Sequence, residues 1–453
     1  MQKNGKPGTI GTLLKPRREK AVPAEHPDLS YIGLEHVQAH TSKLLGSVPA
    51  TEMRSTANRF YTGDVLYSRL RPYLNKVWRA DRDGLCSSEF IVLPGNDEID
   101  ANFLRYRLNS ADFVSFANSL NAGDRPRVDF DQISSFCLPN FSLDAQRAAV
   151  AEIEKQFTLL EAGVSALRRV QVKLKRYRAA VLKAACEGKL VPTEAELSRS
   201  QPSTKNSQRN YESGEQLLQR ILTERRKNWQ GRRQYQEPAA HAAENLPKLP
   251  PDWTWASLDQ LLGLMRNGIS AKPDAESGLP ILRISAVRAL SVNLAESRYL
   301  NAEASDYPDY ALSEGDLLFT RYNGNPELVG VCGVVPALTS PLVHPDKLIR
   351  CKLVPSGALP DFVAIMANAG ESRSYLAKRV RTTAGQAGIS GSDLKGLPIP
   401  LAPLTQQTAI VAEVERRLSV VEELNAALSA NLQRATRLRQ TILTRVFTES
   451  KPR

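Results

Sequence analysis

Two short polar segments carry the side chains best suited to chemistry in this chain. The first is Arg69, Arg71, Tyr73, Asn75 and Lys76, and the second is Arg321, Tyr322, Asn323 and Asn325. Arginine pairs with guanine edges and asparagine with adenine edges, while tyrosine stacks on a base or reaches a phosphate. Each segment follows a matching apolar stretch, Gly63-Asp64-Val65-Leu66-Tyr67-Ser68 and Gly315-Asp316-Leu317-Leu318-Phe319-Thr320. A second pair of segments lies further on. Asn121 to Arg127 contains Gly123, Arg125 and Arg127, and Arg379 to Gln386 contains Arg381 and Gly385. Both are basic, glycine-containing loops placed before a final strand. One such loop is ordinary solvated structure, but both kinds in both copies suggest a base-reading surface.

Other chemistry is not signalled. There is no GxxxxGK[ST] or GxGxxG phosphate-binding loop. His36 and His40 stand four apart without the glutamate of HExxH and read as loop histidines. The carboxylates form no nuclease-like cluster, and Asn325-Pro326-Glu327 is not the Asn-Pro-Pro-aromatic motif of an amino-methyltransferase. Five cysteines make no CxxC pair, which argues against a zinc site and fits a reducing cytoplasm. No signal peptide or membrane segment is expected.

The elements that must hold these segments are themselves duplicated. Residues 144–190 and 405–451 match at a constant offset of 261, with Gln146 opposite Gln407, Glu161 opposite Glu422 and Leu182 opposite Leu443. The first has apolar residues at Val150, Ile153, Phe157, Leu160, Val164, Leu167, Val170, Leu174, Tyr177 and Val181. Steps of three and four predict the seam of a coiled coil. The second has Val411, Val414, Leu418, Val421, Leu428, Ala435, Leu438 and Ile442, interrupted by Asn425 and Asn431. About 40 helical residues would span on the order of 60 Å. Because the chain returns between them, antiparallel pairing is expected.

The predicted fold class is α+β. Two mixed α/β recognition domains, 1–143 and 251–404, are each followed by a long helix, 144–190 and 405–453, joined by a connector at 191–250. Strands are expected at 63–70, 87–94, 315–322 and 328–335, and helices at 102–120 and 361–380. The ends of the connector read as partly disordered. Within it Ser213-Gly214-Glu215-Gln216 is a capping box that opens a short basic helix, either a solvated tether or a docking element.

The net charge of +12 points to an anionic partner. Its distribution sharpens this, since 144–190 carry 10 basic against 5 acidic side chains whereas 251–404 carry 14 against 15. Nearly neutral globular parts imply recognition by placed side chains, with phosphate grip left to a partner.

These features together resemble the specificity subunits of type I restriction–modification systems. The resemblance rests on LPIPLAPLTQQ at 397–407 with Ile389 upstream, the weaker copy Leu138-Pro139 with Gln146, GDLLFTRYNGNPELVG at 315–330, SSEFIVLP at 87–94, and EGKLVP at 187–192 followed by the connector helix. It covers nearly the whole chain. It implies two target recognition domains on an antiparallel coiled coil, each reading one half of a split, asymmetric DNA target. The two readers would stand about one DNA turn or more apart, roughly 34 Å. It also implies that the chain is no catalyst and holds no cofactor. S-adenosylmethionine, ATP and Mg would belong to two adenine-methylating modification subunits and to restriction subunits. Two departures stand out: the first domain lacks a counterpart of Trp253 and Trp255, and Phe136-Cys137-Leu138-Pro139-Asn140-Phe141 replaces the proline-rich entry to the helix. Two alternatives remain at this level, namely a specificity partner of a fused single-chain restriction–methyltransferase and a coiled-coil scaffold with two protein-binding domains.

Overall fold

A computed structural model describes residues 8–120, 123–194, 196–197, 211–229, 234–240, 246–383 and 385–449. Most of the connector ends expected to be disordered, and Asn121 of the second loop, lie outside these residues. The chain forms two compact units, Met1–Val170 with Ala426–Arg453, and Gln171–Asn425. The boundary falls inside both long helices, which run Leu143–Cys186 and Leu404–Glu449.

In the first unit a three-stranded sheet has Val65–Ser68 at its centre, flanked by Val77–Arg79 and Phe90–Leu93, all antiparallel. A second, five-stranded sheet is built from residues 20–86. The expected helix at 102–120 is two, Ala101–Leu108 and Ala111–Ser119. Asn109 caps the first and Ser110 in extended backbone opens the next, so the apolar spacing continues across a real break. In the second unit Leu317–Thr320 lies inside a six-stranded sheet between Leu348–Leu353 and Cys332–Val334. The helix expected at 361–380 is again two, Pro360–Ala367 and Gly370–Ala377. Gly370 has φ +57°, a left-handed conformation that glycine adopts without strain.

The Gly-Asp pair before each central strand does the same job twice. Asp64 Oδ2 accepts from the Tyr61 amide at 2.9 Å and from Arg17 Nε at 2.9 Å. Asp316 Oδ2 accepts from the Ser313 amide at 2.7 Å and from Arg350 Nε at 2.7 Å. The glycines Gly63 and Gly315 both have positive φ, which closes the turn leading into the strand.

The repeated glutamines fasten each long helix to its own domain. Gln146 Oε1 accepts from the Asp100 amide at 2.8 Å, and its Nε2 donates to the carbonyls of Glu98 and Phe141. Gln407 Oε1 accepts from the Leu359 amide at 2.9 Å, and its Nε2 donates to the Ala402 carbonyl. Asp100 and Leu359 are the N-caps of corresponding helices, so one buried amide satisfies the same otherwise unpaired helix end in both units.

Within each unit the two long helices meet with opposite sequence direction. In the first, Ile153 and Phe157 pack with Leu443 and Phe447, and in the second, Val181 and Leu182 share a core with Val414 and Leu418. The seam differs from the heptad reading in places. Val170, Tyr177 and Leu438 are exposed. Arg439 takes the inward place assigned to Leu438, with its guanidinium carbon 3.9 Å from the centre of the Phe157 ring. Asn431 is exposed and Asn425 half-buried.

The connector helix Gly214–Lys227 carries the capping box Ser213–Gln216, and it docks rather than dangles. Leu217, Leu218 and Ile221 are buried in the core of the second unit. A Cβ on Gly214 would stand 2.3 Å from the Leu401 carbonyl oxygen, so only glycine allows this approach. No described helix is long and apolar enough to cross a membrane.

Candidate nucleic-acid interface

The four polar segments come together in pairs, one pair in each unit. In the first unit the chain leaves the strand Val65–Ser68 and bridges Leu70 to Arg127. The Val128 amide donates to the Arg69 carbonyl at 2.9 Å and the Arg71 amide to the Pro126 carbonyl at 2.8 Å. In the second unit the Ile389 amide donates to the Arg321 carbonyl at 3.1 Å, the counterpart of the first of these bonds. Tyr322–Asn323, Gln386–Gly388 and Arg381–Thr383 then form a small antiparallel sheet, with Tyr322 opposite Gly388 and Asn323 opposite Ala387. A Cβ on Gly388 would meet the Tyr322 ring at 2.4 Å, so the glycine is what lets that ring lie across the strand.

In the first unit the turn Pro72–Leu74 is flanked by Arg71 and Asn75, both in left-handed backbone at φ +52° and +44°. Arg71, Tyr73, Arg125 and Arg127 are exposed. Arg127 forms an ion pair with Glu89. Asn75, expected on the outward face, is 1% exposed, and its Nδ2 donates to the Asn109 carbonyl at 3.1 Å. Lys76 Nζ donates to the Leu34 carbonyl at 2.6 Å. Asn75 and Lys76 therefore hold the turn in place, and its tip is Arg71 and Tyr73.

In the second unit Arg321, Tyr322, Arg381 and Gln386 line one cavity of about 260 Å³, together with Ser390 and Asp393. Arg321 lies over the Tyr322 ring at 4.8 Å. Burial raises the pKa of the Asp393 carboxyl, but hydrogen bonds from Ser390 and the charges of Arg381 and Arg379 outweigh it and hold the group below the usual carboxylate range. A second cavity of about 360 Å³ is lined by Tyr322, Asn323, Gln386, Arg288 and Lys347, among others. Asn323 Oδ1 accepts from the Asn325 amide at 2.9 Å and Asn325 Oδ1 from the Glu327 amide at 3.0 Å, so both brace this turn, but of the two only Asn323 lines the cavity. Arg379 folds back over Tyr375, 3.5 Å from the ring centre, and donates to the Tyr375 carbonyl. The sequence reading missed Ser285, Arg288 and Lys347. They lie tens of residues from either polar segment, and only the pairing of the Arg321 amide with the Lys347 carbonyl, at 2.8 Å, brings Lys347 alongside.

Among the described residues no group of three or more His, Cys, Asp or Glu side chains could hold a metal ion. His36 Nδ1 accepts from the Gly33 amide at 2.9 Å, a local turn bond. All five cysteines are free thiols.

No protein-family model matches the chain. It is 41% identical to the type I restriction enzyme EcoKI specificity subunit of Escherichia coli K12 over 194 residues, 42% of this chain and 41% of that one. The chain is a relative of type I restriction enzyme specificity subunits. The StySPI specificity subunit of Salmonella potsdam matches at 27% over 196 residues, 43% of this chain and 42% of that one. The chain thus spans about two-fifths of the length of these curated relatives. A chain solved in work on the complex assembly and conformational transition of the type I R-M system superposes with a TM-score of 0.68 at 19% identity, covering 98% of this chain and 97% of that one. That likeness is one of fold alone, and it extends over nearly the whole of both chains, the two long helices of this chain included.

Proposed function

We propose that the chain is the DNA-specificity subunit of a type I restriction–modification complex. Its recognition domains, 1–143 and 251–404, each read one half of a bipartite, asymmetric double-stranded target. The long helices at 144–190 and 405–453 and the connector at 191–250 form the frame on which modification and restriction subunits dock. The observation that carries this is the duplicated surface. In both units a polar turn after the Gly-Asp strand is joined to a glycine-containing basic loop by the same backbone bond. The reading side chains are Arg69, Arg71, Tyr73, Arg125 and Arg127 in one domain and Arg321, Tyr322, Asn323, Arg381 and Gln386 in the other.

The chain itself transfers no methyl group and cuts no DNA. S-adenosylmethionine, ATP and Mg are used by the partners, and the complex works in the cytoplasm. The near-neutral charge of the second recognition domain supports a division of labour in which partners neutralise phosphates and this chain selects bases. The test is co-production with a modification subunit, followed by mapping of methylated adenines. A split, asymmetric motif that appears only when both chains are present is the expected result. Methyl transfer by the chain alone, or equal affinity of the assembled complex for every DNA sequence, overturns it. The second of these outcomes favours a scaffold with two protein-binding domains.

A further inference from the structure

The long helices make the same side-chain clamp twice. Arg178 and Arg439 are separated by 261, the spacing that also relates Glu161 to Glu422. In the first unit Arg439 Nη1 lies 3.6 Å from Glu161 Oε1, and its Nη2 donates to the Thr41 carbonyl at 2.8 Å. In the second unit Arg178 Nη1 lies 3.6 Å from Glu422 Oε1, and its Nη2 donates to the Ala289 carbonyl at 3.4 Å. Thr41 and Ala289 each sit a few residues beyond a short 3-10 turn, Leu34–His36 and Ile284–Ala286. One guanidinium fork thus ties the opposite long helix and a domain loop together, a task that needs two donors in a fixed plane.

The clamped loops abut the candidate reading segments. In the first unit the His40 amide donates to the Asn75 carbonyl at 3.0 Å, so the loop held by Arg439 supports the Arg71–Tyr73 turn directly. Gln440, beside Arg439, donates to the Asn109 carbonyl at 3.2 Å, the same oxygen that Asn75 uses. In the second unit Arg288, the neighbour of Ala289, lines the cavity shared with Tyr322 and Asn323. The second clamp is the looser one. Each arginine borders a cavity, but the Arg178 side chain is 32% exposed and donates at 3.4 Å, whereas Arg439 is 14% exposed, donates at 2.8 Å and lies on Phe157.

We infer that Arg439 and Arg178 are positioning residues, each fixing the loop that supports one recognition surface. Each domain is then held by its own long helix, through Gln146 or Gln407, and by the other long helix, through Arg439 or Arg178. Base preference depends on the helices through these two contacts, although neither arginine touches DNA. The inference rests on the proposed recognition role, but its first readout does not.

Hydrogen exchange on the full chain measures the clamp directly. Arg439→Ala should speed exchange in residues 38–45 and leave 286–292 unchanged, and Arg178→Ala should do the reverse. Unchanged exchange in the expected loop for both variants overturns the clamp. With modification subunits present, Arg439→Ala should lower base discrimination at one half-site about tenfold and spare the other, and Arg178→Ala should affect the opposite half-site. Arg439→Lys, which keeps the charge but not the fork, should fall between wild type and Arg439→Ala. Equal losses at both half-sites, or none, overturn the positioning role. Wild-type complex without sequence-specific methylation instead overturns the recognition role and leaves the exchange result to judge the clamp. Arg178 is the more exposed of the two, so its variant gives a folded test if Arg439→Ala proves unstable.

Discussion

Arg350 donates from Nε to Asp316 Oδ2 at 2.7 Å, with both side chains almost fully removed from solvent. The aspartate also anchors the turn before the central strand through the Ser313 amide, so one buried carboxylate fixes the geometry from which the reading segment departs. Removing one member of a buried pair leaves the other charged and unpaired, at a cost of about 3–5 kcal/mol. Arg350→Met should therefore lower the urea midpoint of the chain strongly. Arg17→Met, whose side chain is 27% exposed beside Asp64, should cost clearly less. Equal losses from the two variants would contradict the burial argument.

Gln407 is wholly buried, and its amide oxygen satisfies the first backbone donor of the helix Pro360–Ala367. Leaving that donor without a partner costs about 1–3 kcal/mol. Gln407→Ala should lose stability in this range and raise hydrogen exchange at Leu359. Gln146→Ala should do the same at Asp100. Gln407→Glu keeps an acceptor for the Leu359 amide but sets a buried carboxylate against the Ala402 carbonyl, and should cost at least as much as alanine. A loss from Gln407→Glu clearly smaller than that from alanine would show that the acceptor side dominates.

How much of this was legible in the sequence can be judged from single residues. The repeat at offset 261 exposed Gln146 and Gln407, Glu161 and Glu422, because identical chemistry at identical spacing survives in a string of letters. Strands at 65–68 and 317–320 followed from apolar runs bounded by Gly-Asp turns. Leu438 was assigned inward because it is apolar at seam spacing. The inward residue is its neighbour Arg439, whose charge is met by Glu161 and whose plane lies on Phe157. Periodicity counts apolar residues and has no place for a cation that is buried by being paired. The breaks at Asn109 and Gly370 were missed because helical spacing continues across them. Asn75 looked like a surface amide, and its burial depends on Asn109, which only the fold brings near. Lys347 and Arg288 were invisible for the same reason, since they reach the site by strand pairing and loop placement.

The two kinds of asparagine at the reading segments should separate by assay. Asn323→Ala and Arg321→Ala remove side chains facing the cavities beside the small sheet, and should relax base choice at one half-site by roughly 1–3 kcal/mol per lost contact. The melting temperature should change little for Asn323→Ala. Asn75→Ala removes a buried hydrogen bond and should lower stability by about 1–3 kcal/mol. Methylation mapping and thermal denaturation on the same preparations check the pair. An unchanged motif for both Asn323→Ala and Arg321→Ala would remove this sheet from the reading surface.

Gly388→Ala tests the packing of that sheet. The added Cβ would lie 2.4 Å from the Tyr322 ring, which must swing away or the strands must part. Arg321, stacked on the same ring, would lose its support. Discrimination at this half-site should fall with little loss of global stability, because the small sheet lies outside the six-stranded core sheet. Gly46→Ala has nothing within 4 Å of the new Cβ, lines neither cavity beside this sheet and serves as the control. If the two variants methylate the same motif equally well, the Tyr322–Gly388 contact does not shape recognition.

His344 supplies a pH dependence whose sign follows from its surroundings. Burial, reinforced by the nearby Arg350 charge, pushes its pKa down to about 4 from an ordinary 6.5. The folded chain therefore holds the imidazole neutral where the unfolded chain begins to bind a proton. Stability from this group is complete above pH 6.5 and is lost progressively as pH falls from there toward 4, by an amount on the order of 3 kcal/mol. His344→Gln cannot titrate, so it should flatten the change in urea midpoint between pH 7.5 and pH 5 relative to wild type. The variant will be less stable at neutral pH if the imidazole fills its site well, but that offset is the same at both pH values and does not disturb the slope. A wild-type slope unchanged by the substitution would place the acid sensitivity in groups other than His344.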